Sequence, residues 1–190
     1  MILGINYKSV KPHQLVWTGF LAATILFVLC IVSRPESLGH NDGLSYFGAV
    51  WWTVVPYTIA FSTYALFCWL ASNKVPSTNR SSKLMHWLLR LMAVLLFGLI
   101  ITPHTVINSI HKVFGSTLFA SQILLSVYLY YKNPKKLYIL LLIAVMFVSG
   151  LFSAAFLFTP SGFMIQAQIV YQLAFVVLLT HYLKISKKLN

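Results

Sequence analysis

The amino-acid sequence predicts an all-α, polytopic membrane protein with six transmembrane helices, and three observations lead to this fold class. Hydrophobic residues make up 59% of the 190 residues and charged residues only 8%, with a mean hydropathy of +0.82. A soluble domain carries about 25% charged residues, so that class is excluded. The apolar residues fall into segments of about 20, the length that crosses a bilayer. Basic residues also alternate between successive connections.

The whole chain, residues 1–190, is predicted to form a single transmembrane domain. Each apolar segment is bounded by polar, turn-forming or basic residues, which mark the connections. The predicted spans are about 14–33, 46–72, 84–101, 104–131, 137–158 and 163–183. The fifth is almost wholly apolar, and the fourth follows the third after a very short link.

The second predicted span begins after a turn-rich loop that holds the only two acidic residues, Glu36 and Asp42. Trp51 and Trp52 near its start are typical of a membrane interface. Pro56 removes a backbone donor and predicts a kink or a break in this helix.

The basic residues predict the topology. Of the 14 lysines and arginines, 12 lie at connections on one side of the predicted bundle, and only Arg34 lies on the other. Lys112 lies inside the fourth span. By the positive-inside rule, both termini are predicted to be cytoplasmic, in the plasma (inner) membrane.

The fourth span carries an unusual row of polar and small residues. Helical spacing places His104, Asn108, His111 and Gly115 on one face, which continues to Gln122 and Ser126. Polar residues are costly in lipid and normally face a bundle interior or a cavity. We therefore expect the other spans to cover this helix and place it at the centre. Gln168 and Gln172 of the sixth span share a face that could meet this row.

With the predicted topology, the polar start of the fourth span lies in the outer leaflet. We predict an outward-facing pocket for an anionic headgroup or another small anionic ligand, because lysine and histidine suit a phosphate or carboxylate. The predicted ligand-binding residues are His104, Asn108, His111, Lys112, Asp42, Thr53 and Tyr57. The alternative interpretation is an interhelical hydrogen-bond network that only fixes helix packing.

Other chemistries find less support in the sequence. A zinc hydrolase needs several ligands and a general base, yet no acid lies inside a span. We predict no catalytic residue, no metal, no cofactor and no nucleic-acid partner. A small-residue patch in the fifth span suits close helix packing and a partner protein. The patch consists of Ser149, Gly150, Ser153 and Ala154.

Two stretches resemble a known group of membrane proteins. HKVFGSTLFASQILLSVYLY has His111 followed by Gly115 and Phe119 and an aromatic end, and NDGLSYFGAVWWTVVPYTIAF opens the second span. With the six-span plan, these stretches resemble the Frag/DRAM/Sfk-type six-helix proteins, including the bacterial family called domain of unknown function 998. The resemblance implies a lipid-related role and carries over no catalytic residue.

Three functions follow from these observations. The leading prediction is a non-enzymatic membrane protein that binds a lipid headgroup or small ligand, as a sensor or transporter-like accessory. The alternative is a membrane-embedded lipid-modifying enzyme, in which His111 acts as general base or metal ligand. The third is a structural partner of another membrane protein.

Overall fold

The computed structural model describes residues 9–40, 42–76, 79–132, 136–155 and 162–186, and within these ranges the chain is helical without any strand. Five helices are long and apolar enough to cross a membrane, which confirms the predicted all-α membrane class. These are α1, α3, α4, α5 and α7. The helices are α1 (Pro12–Ser33), α2 (Tyr46–Ala49), α3 (Val54–Ser72), α4 (Arg80–Ile101), α5 (Asn108–Lys132), α6 (Leu137–Ala155) and α7 (Met164–Ser186).

The second predicted span is broken rather than continuous. α2 ends at Ala49, Val50 is extended, and α3 begins at Val54. Thr53 closes the break, since its hydroxyl donates to the backbone carbonyls of Phe47 (2.9 Å) and Val50 (3.2 Å). Pro56 therefore lies in the first turn of α3, where its missing N–H leaves no carbonyl unpaired. The prediction of one helix over 46–72 is wrong, and the part that can cross a membrane starts at Val54.

The ends of α4 and α5 also differ from the predicted bounds. α4 begins at Arg80, because the Asn79 side chain accepts a hydrogen bond from the Ser82 N–H at 2.8 Å and caps the helix. α5 begins only at Asn108, after a turn closed on the carbonyl of Pro103. His104 therefore precedes the helix. Its predicted place on a helical face with Asn108 is wrong.

The six long helices pack in chain order, each against the next, and α7 closes the arrangement against α1. Half of the most apolar 18-residue window is buried in α4 and in α7, but only 28% of that window is buried in α5. The predicted central position of the fourth span is therefore wrong. α5 holds its polar row against α4, α6 and α7 while its opposite side is exposed.

The loop of residues 34–53 folds over one end of the helices. The first turns of α7 hold it in place: the Gln168 side chain accepts from the Leu44 N–H at 2.8 Å, and the Gln166 amide donates to the Leu38 carbonyl at 3.1 Å. Gly43 has a φ of +60°, and a Cβ there would lie 2.6 Å from the Gln168 side-chain oxygen. Only glycine satisfies both demands. This contact positions Ser45 for the site described next.

Candidate functional site

The candidate site is centred on His111, in the first turn of α5, where the side chain is only 6% exposed. Its Nδ1 lies 2.6 Å from the Thr102 carbonyl oxygen, and its Nε2 lies 2.6 Å from Ser45 Oγ. A carbonyl only accepts, so Nδ1 carries the hydrogen and donates it. In the neutral imidazole Nε2 then accepts, and the Ser45 hydroxyl donates to it. The two hydrogen bonds thus determine the tautomer of His111.

Three separate chain segments meet at this ring. Thr102 ends α4, where its N–H and its hydroxyl both donate to the Gly98 carbonyl, at 3.1 and 2.6 Å. These two bonds hold the residue so that its own carbonyl reaches His111. Ser45 ends the 3₁₀ turn Gly43–Ser45, which Gln168 of α7 fixes through Leu44. The geometry of the pair therefore depends on α4, α5 and α7 together.

A cavity of about 50 Å³ lies beside the Ser45–His111 pair, and we call it the His111 cavity. This volume accommodates a few water molecules or one small polar group. Polar and apolar side chains both face it. Its lining consists of Ser45, Gly48, Val54, Tyr57, Thr58, Leu99, Ile100, Pro103, His104 and His111.

Tyr57 forms one wall of the His111 cavity. Its ring lies against Gly48, where a Cβ would approach the ring to 2.8 Å, so the absence of a side chain at this position lets α2 and α3 pack closely. The Tyr57 hydroxyl lies beside the hydroxyl of Ser45. The cavity therefore has a serine, a phenol and an imidazole within one small space.

His104 and Asp42 form the rim. The His104 ring centroid lies 6.0 Å from that of His111, and its Nε2 lies 4.0 Å from Asp42 Oδ1. The Asp42 side chain is 50% exposed, so its interaction with His104 is solvated and weak. Asp42 contacts the site through His104 rather than by lining the cavity.

The structure brings together some of the predicted ligand-binding residues and separates others. His104, His111 and Tyr57 line the His111 cavity, and Asp42 lies at its rim. Asn108 and Lys112 do not line it, because both lie on the exposed side of α5. Thr53 is buried, but its hydroxyl bonds to backbone carbonyls and forms no part of the wall.

Ser45 is the site residue that the sequence reasoning missed. It lies 66 residues from His111, in a stretch that was noted only as the entry to the second span. No local spacing links the two residues. The only signal nearby is the glycine-containing turn at Gly43, which could have suggested a constrained loop but not its partner.

The later part of the α5 polar row has a different character, and we call it the Gln122 group: Gln122, Ser126, Tyr171 and Gln172. The amides of Gln122 and Gln172 donate to each other at 3.3 and 3.2 Å, which confirms that Gln172 meets this row. The Ser126 hydroxyl donates to the Gln122 carbonyl, and the Tyr171 hydroxyl donates to the carbonyl of Phe119 at 2.6 Å. Gln168 instead bonds the loop of residues 34–53.

The small-residue patch of the fifth span faces α7 of the same chain. Ser149 is buried, and its hydroxyl donates to the Val145 carbonyl at 2.6 Å. Gly150 lies against the Tyr171 ring, since a Cβ there would be 3.4 Å from it. The Ser153 hydroxyl donates to the Ser149 carbonyl, and the side chain of Ala154 lies outside the described residues.

Within the described ranges, no three histidine, cysteine, aspartate or glutamate side chains gather in a way that could hold a metal ion. No family model, no curated protein and no solved structure matches this chain. The functional argument therefore depends on the geometry of the site.

Proposed function

We propose that this chain is a six-span protein of the plasma membrane, with both termini cytoplasmic, that binds the polar end of a lipid in the His111 cavity. The sixth span in this proposal is α6, whose 19 residues correspond to about 28 Å, close to the thickness of the hydrocarbon core. The 12 basic residues on one side support the orientation. The loop of residues 34–53 and the His111 cavity then lie at the outer face.

One observation carries the binding proposal: a cavity with a polar and an apolar wall opens next to a membrane-interface segment. Trp51 and Trp52 lie in the break between α2 and α3, just before the lining residue Val54, and are 79% and 73% exposed. Tryptophans prefer the depth of the lipid headgroups and esters. The cavity mouth therefore lies at the depth where the polar end of a lipid is found.

The size and polarity of the His111 cavity define the ligand class. A volume of about 50 Å³ suits one carboxylate-, phosphate- or ester-sized group rather than a whole headgroup. Tyr57 and His104 supply hydrogen-bond partners, and Leu99 and Ile100 contact apolar atoms. The net charge of +12 favours an anionic lipid. The resemblance to the Frag/DRAM/Sfk-type proteins, which implies a lipid-related role, stays a prediction.

Photocrosslinking in nanodiscs tests this proposal. We would use phosphatidylglycerol with a diazirine close to its ester, and map the crosslinked peptides by mass spectrometry. Crosslinks are expected on the α2–α3 break and on the link between α4 and α5. Thr58→Leu places a larger side chain in the cavity and should remove most of this crosslinking.

Asn108→Ala is the matched control, because Asn108 lies near the site but is exposed and does not line the cavity. It should crosslink like the wild type. Equal crosslinking in the Thr58→Leu and wild-type proteins, at equal thermal stability, would contradict lipid binding in this cavity. A free small anion such as phosphate, added in excess, should compete only if the site takes soluble ligands.

A further inference from the structure

The hydrogen bond between Ser45 and His111 has the geometry of an activated nucleophile. Ser45 Oγ lies 2.6 Å from His111 Nε2, and the tautomer derived above makes this nitrogen the acceptor. A serine hydroxyl is a weak nucleophile unless an adjacent base can take its proton. The pair meets this requirement, and it faces the cavity rather than the packed interior.

A third group orients the base. In serine hydrolases the base is held by a further partner, commonly a carboxylate. Here the Thr102 carbonyl holds Nδ1–H at 2.6 Å, and Thr102 is itself fixed by two bonds to Gly98. A neutral carbonyl orients the ring and fixes the tautomer, but it stabilises a protonated imidazole less than a carboxylate does. A slow reaction is therefore expected.

Tyr57 supplies the remaining element that acyl transfer needs. Negative charge develops on the carbonyl oxygen during attack, and a donor placed near the nucleophile stabilises it. The Tyr57 hydroxyl lies beside the Ser45 hydroxyl, and both line the His111 cavity. A carbonyl group in the cavity can thus contact Ser45 Oγ with its carbon and the Tyr57 hydroxyl with its oxygen.

We propose that Ser45 is the nucleophile, and His111 the general base, of an acyl transfer from a lipid carboxylic ester bound in the His111 cavity. This inference rests on the lipid-binding function proposed above. It names the reacting group of that lipid, its ester, and assigns a covalent role to a residue that binding alone does not need.

The proposed reaction has two balanced steps. Ser45 Oγ bonds to the ester carbonyl carbon while its proton passes to His111 Nε2. The bond from that carbon to the alcohol oxygen then breaks, and His111 returns the proton to the leaving alcohol. Water then attacks the acyl-serine, His111 takes a proton from the water and returns it to Ser45 Oγ, and the carboxylic acid leaves. The sum is one ester and one water converted to one acid and one alcohol.

Covalent labelling of the full-length protein in nanodiscs tests the nucleophile directly. A fluorophosphonate probe should modify Ser45 of the wild type, as read by peptide mass spectrometry. This result does not depend on how any variant folds. Ser45→Ala should lose the adduct, and His111→Gln should react roughly 100-fold more slowly, the usual effect of losing a general base.

Two controls separate this role from a structural one. His86→Gln changes a histidine whose Nδ1 also bonds a backbone carbonyl, that of Ser72 at 2.8 Å, at the opposite end of α4. Ser121→Ala removes a hydroxyl that bonds within α5. Both variants should label like the wild type. Release of fatty acid from phosphatidylglycerol should follow the same order among the four variants.

The outcomes distinguish this inference from the proposed function. Lipid crosslinking at the cavity without any adduct on Ser45 would overturn the nucleophile and leave lipid binding intact. An adduct on Ser45 without lipid crosslinking would overturn both the lipid-binding function and the lipid ester as substrate. Equal labelling rates in the wild type and the His111→Gln protein would overturn the role of His111 as base.

Discussion

The first turn of α5 and its middle both carry buried polar side chains, but they use them differently. In the Gln122 group, every partner named above lies within the helix packing, and the amides of Gln122 and Gln172 satisfy each other. Around His111, the hydrogen bonds run to a loop and to a helix end, and a cavity remains beside them. The difference shows that one polar row can serve as an interhelical contact in one half and as a site in the other.

The largest expected effect tests whether the His111 end faces outward. Glu36→Cys in the loop of residues 34–53 should react with a membrane-impermeant maleimide on intact cells, because the proposed topology places it outside. Lys83→Cys, in the first turn of α4, should react only after permeabilisation. Cys30 and Cys68 are buried and give the background. The opposite labelling pattern would place the His111 cavity at the cytoplasmic face.

The contact that holds the first half of α5 against α4 should give the next largest effect. A Cβ at Gly98 would lie 2.7 Å from the Phe114 ring, whereas one at Gly115 would meet only Leu99, at 3.9 Å. Gly98→Leu should therefore lower the free energy of unfolding by about 1–3 kcal/mol, the usual cost of overpacking. Gly115→Leu should cost less. Thermal melts in one detergent compare them, and equal melting temperatures would show that α4 and α5 do not pack as described.

The Gln122 group should affect stability without affecting the site. Gln122→Leu leaves the Gln172 amide without its partner and should cost about 1 kcal/mol, the scale of an interhelical hydrogen bond. Adding Gln172→Leu should restore part of the loss, because neither amide is then unpaired. Fluorophosphonate labelling should stay at the wild-type rate in both variants. A slower rate would mean that the two halves of α5 are coupled.

The smallest effect is expected on the exposed side of the first half of α5. Lys112→Ala removes a side chain that is exposed and does not line the His111 cavity. The free energy of unfolding should change by less than about 0.5 kcal/mol, and lipid crosslinking should stay unchanged. Chemical denaturation and the crosslinking assay measure both. Strongly reduced crosslinking would extend the site to this side of the helix.

The sequence predicted part of the candidate site because some of its residues are unusual in their surroundings. His104 and His111 stand out in an apolar segment, and both line the cavity. Asn108 and Lys112 stand out in the same way but are exposed, because α5 starts four residues later than predicted. Polarity in a span indicates that a residue needs water or a partner. It does not indicate which of the two the fold provides.

The sequence by itself determined the membrane class, the approximate extent of the apolar helices and the distribution of charge. These are local sums over hydropathy and charge, and a bilayer selects for them directly. Only the tertiary structure decided the break between α2 and α3, the peripheral position of α5 and the pairing of Ser45 with His111. The physical reason is that apolar side chains cover these helices on all sides, so hydropathy does not mark the face that turns inward. Packing alone brings residues 66 positions apart to 2.6 Å.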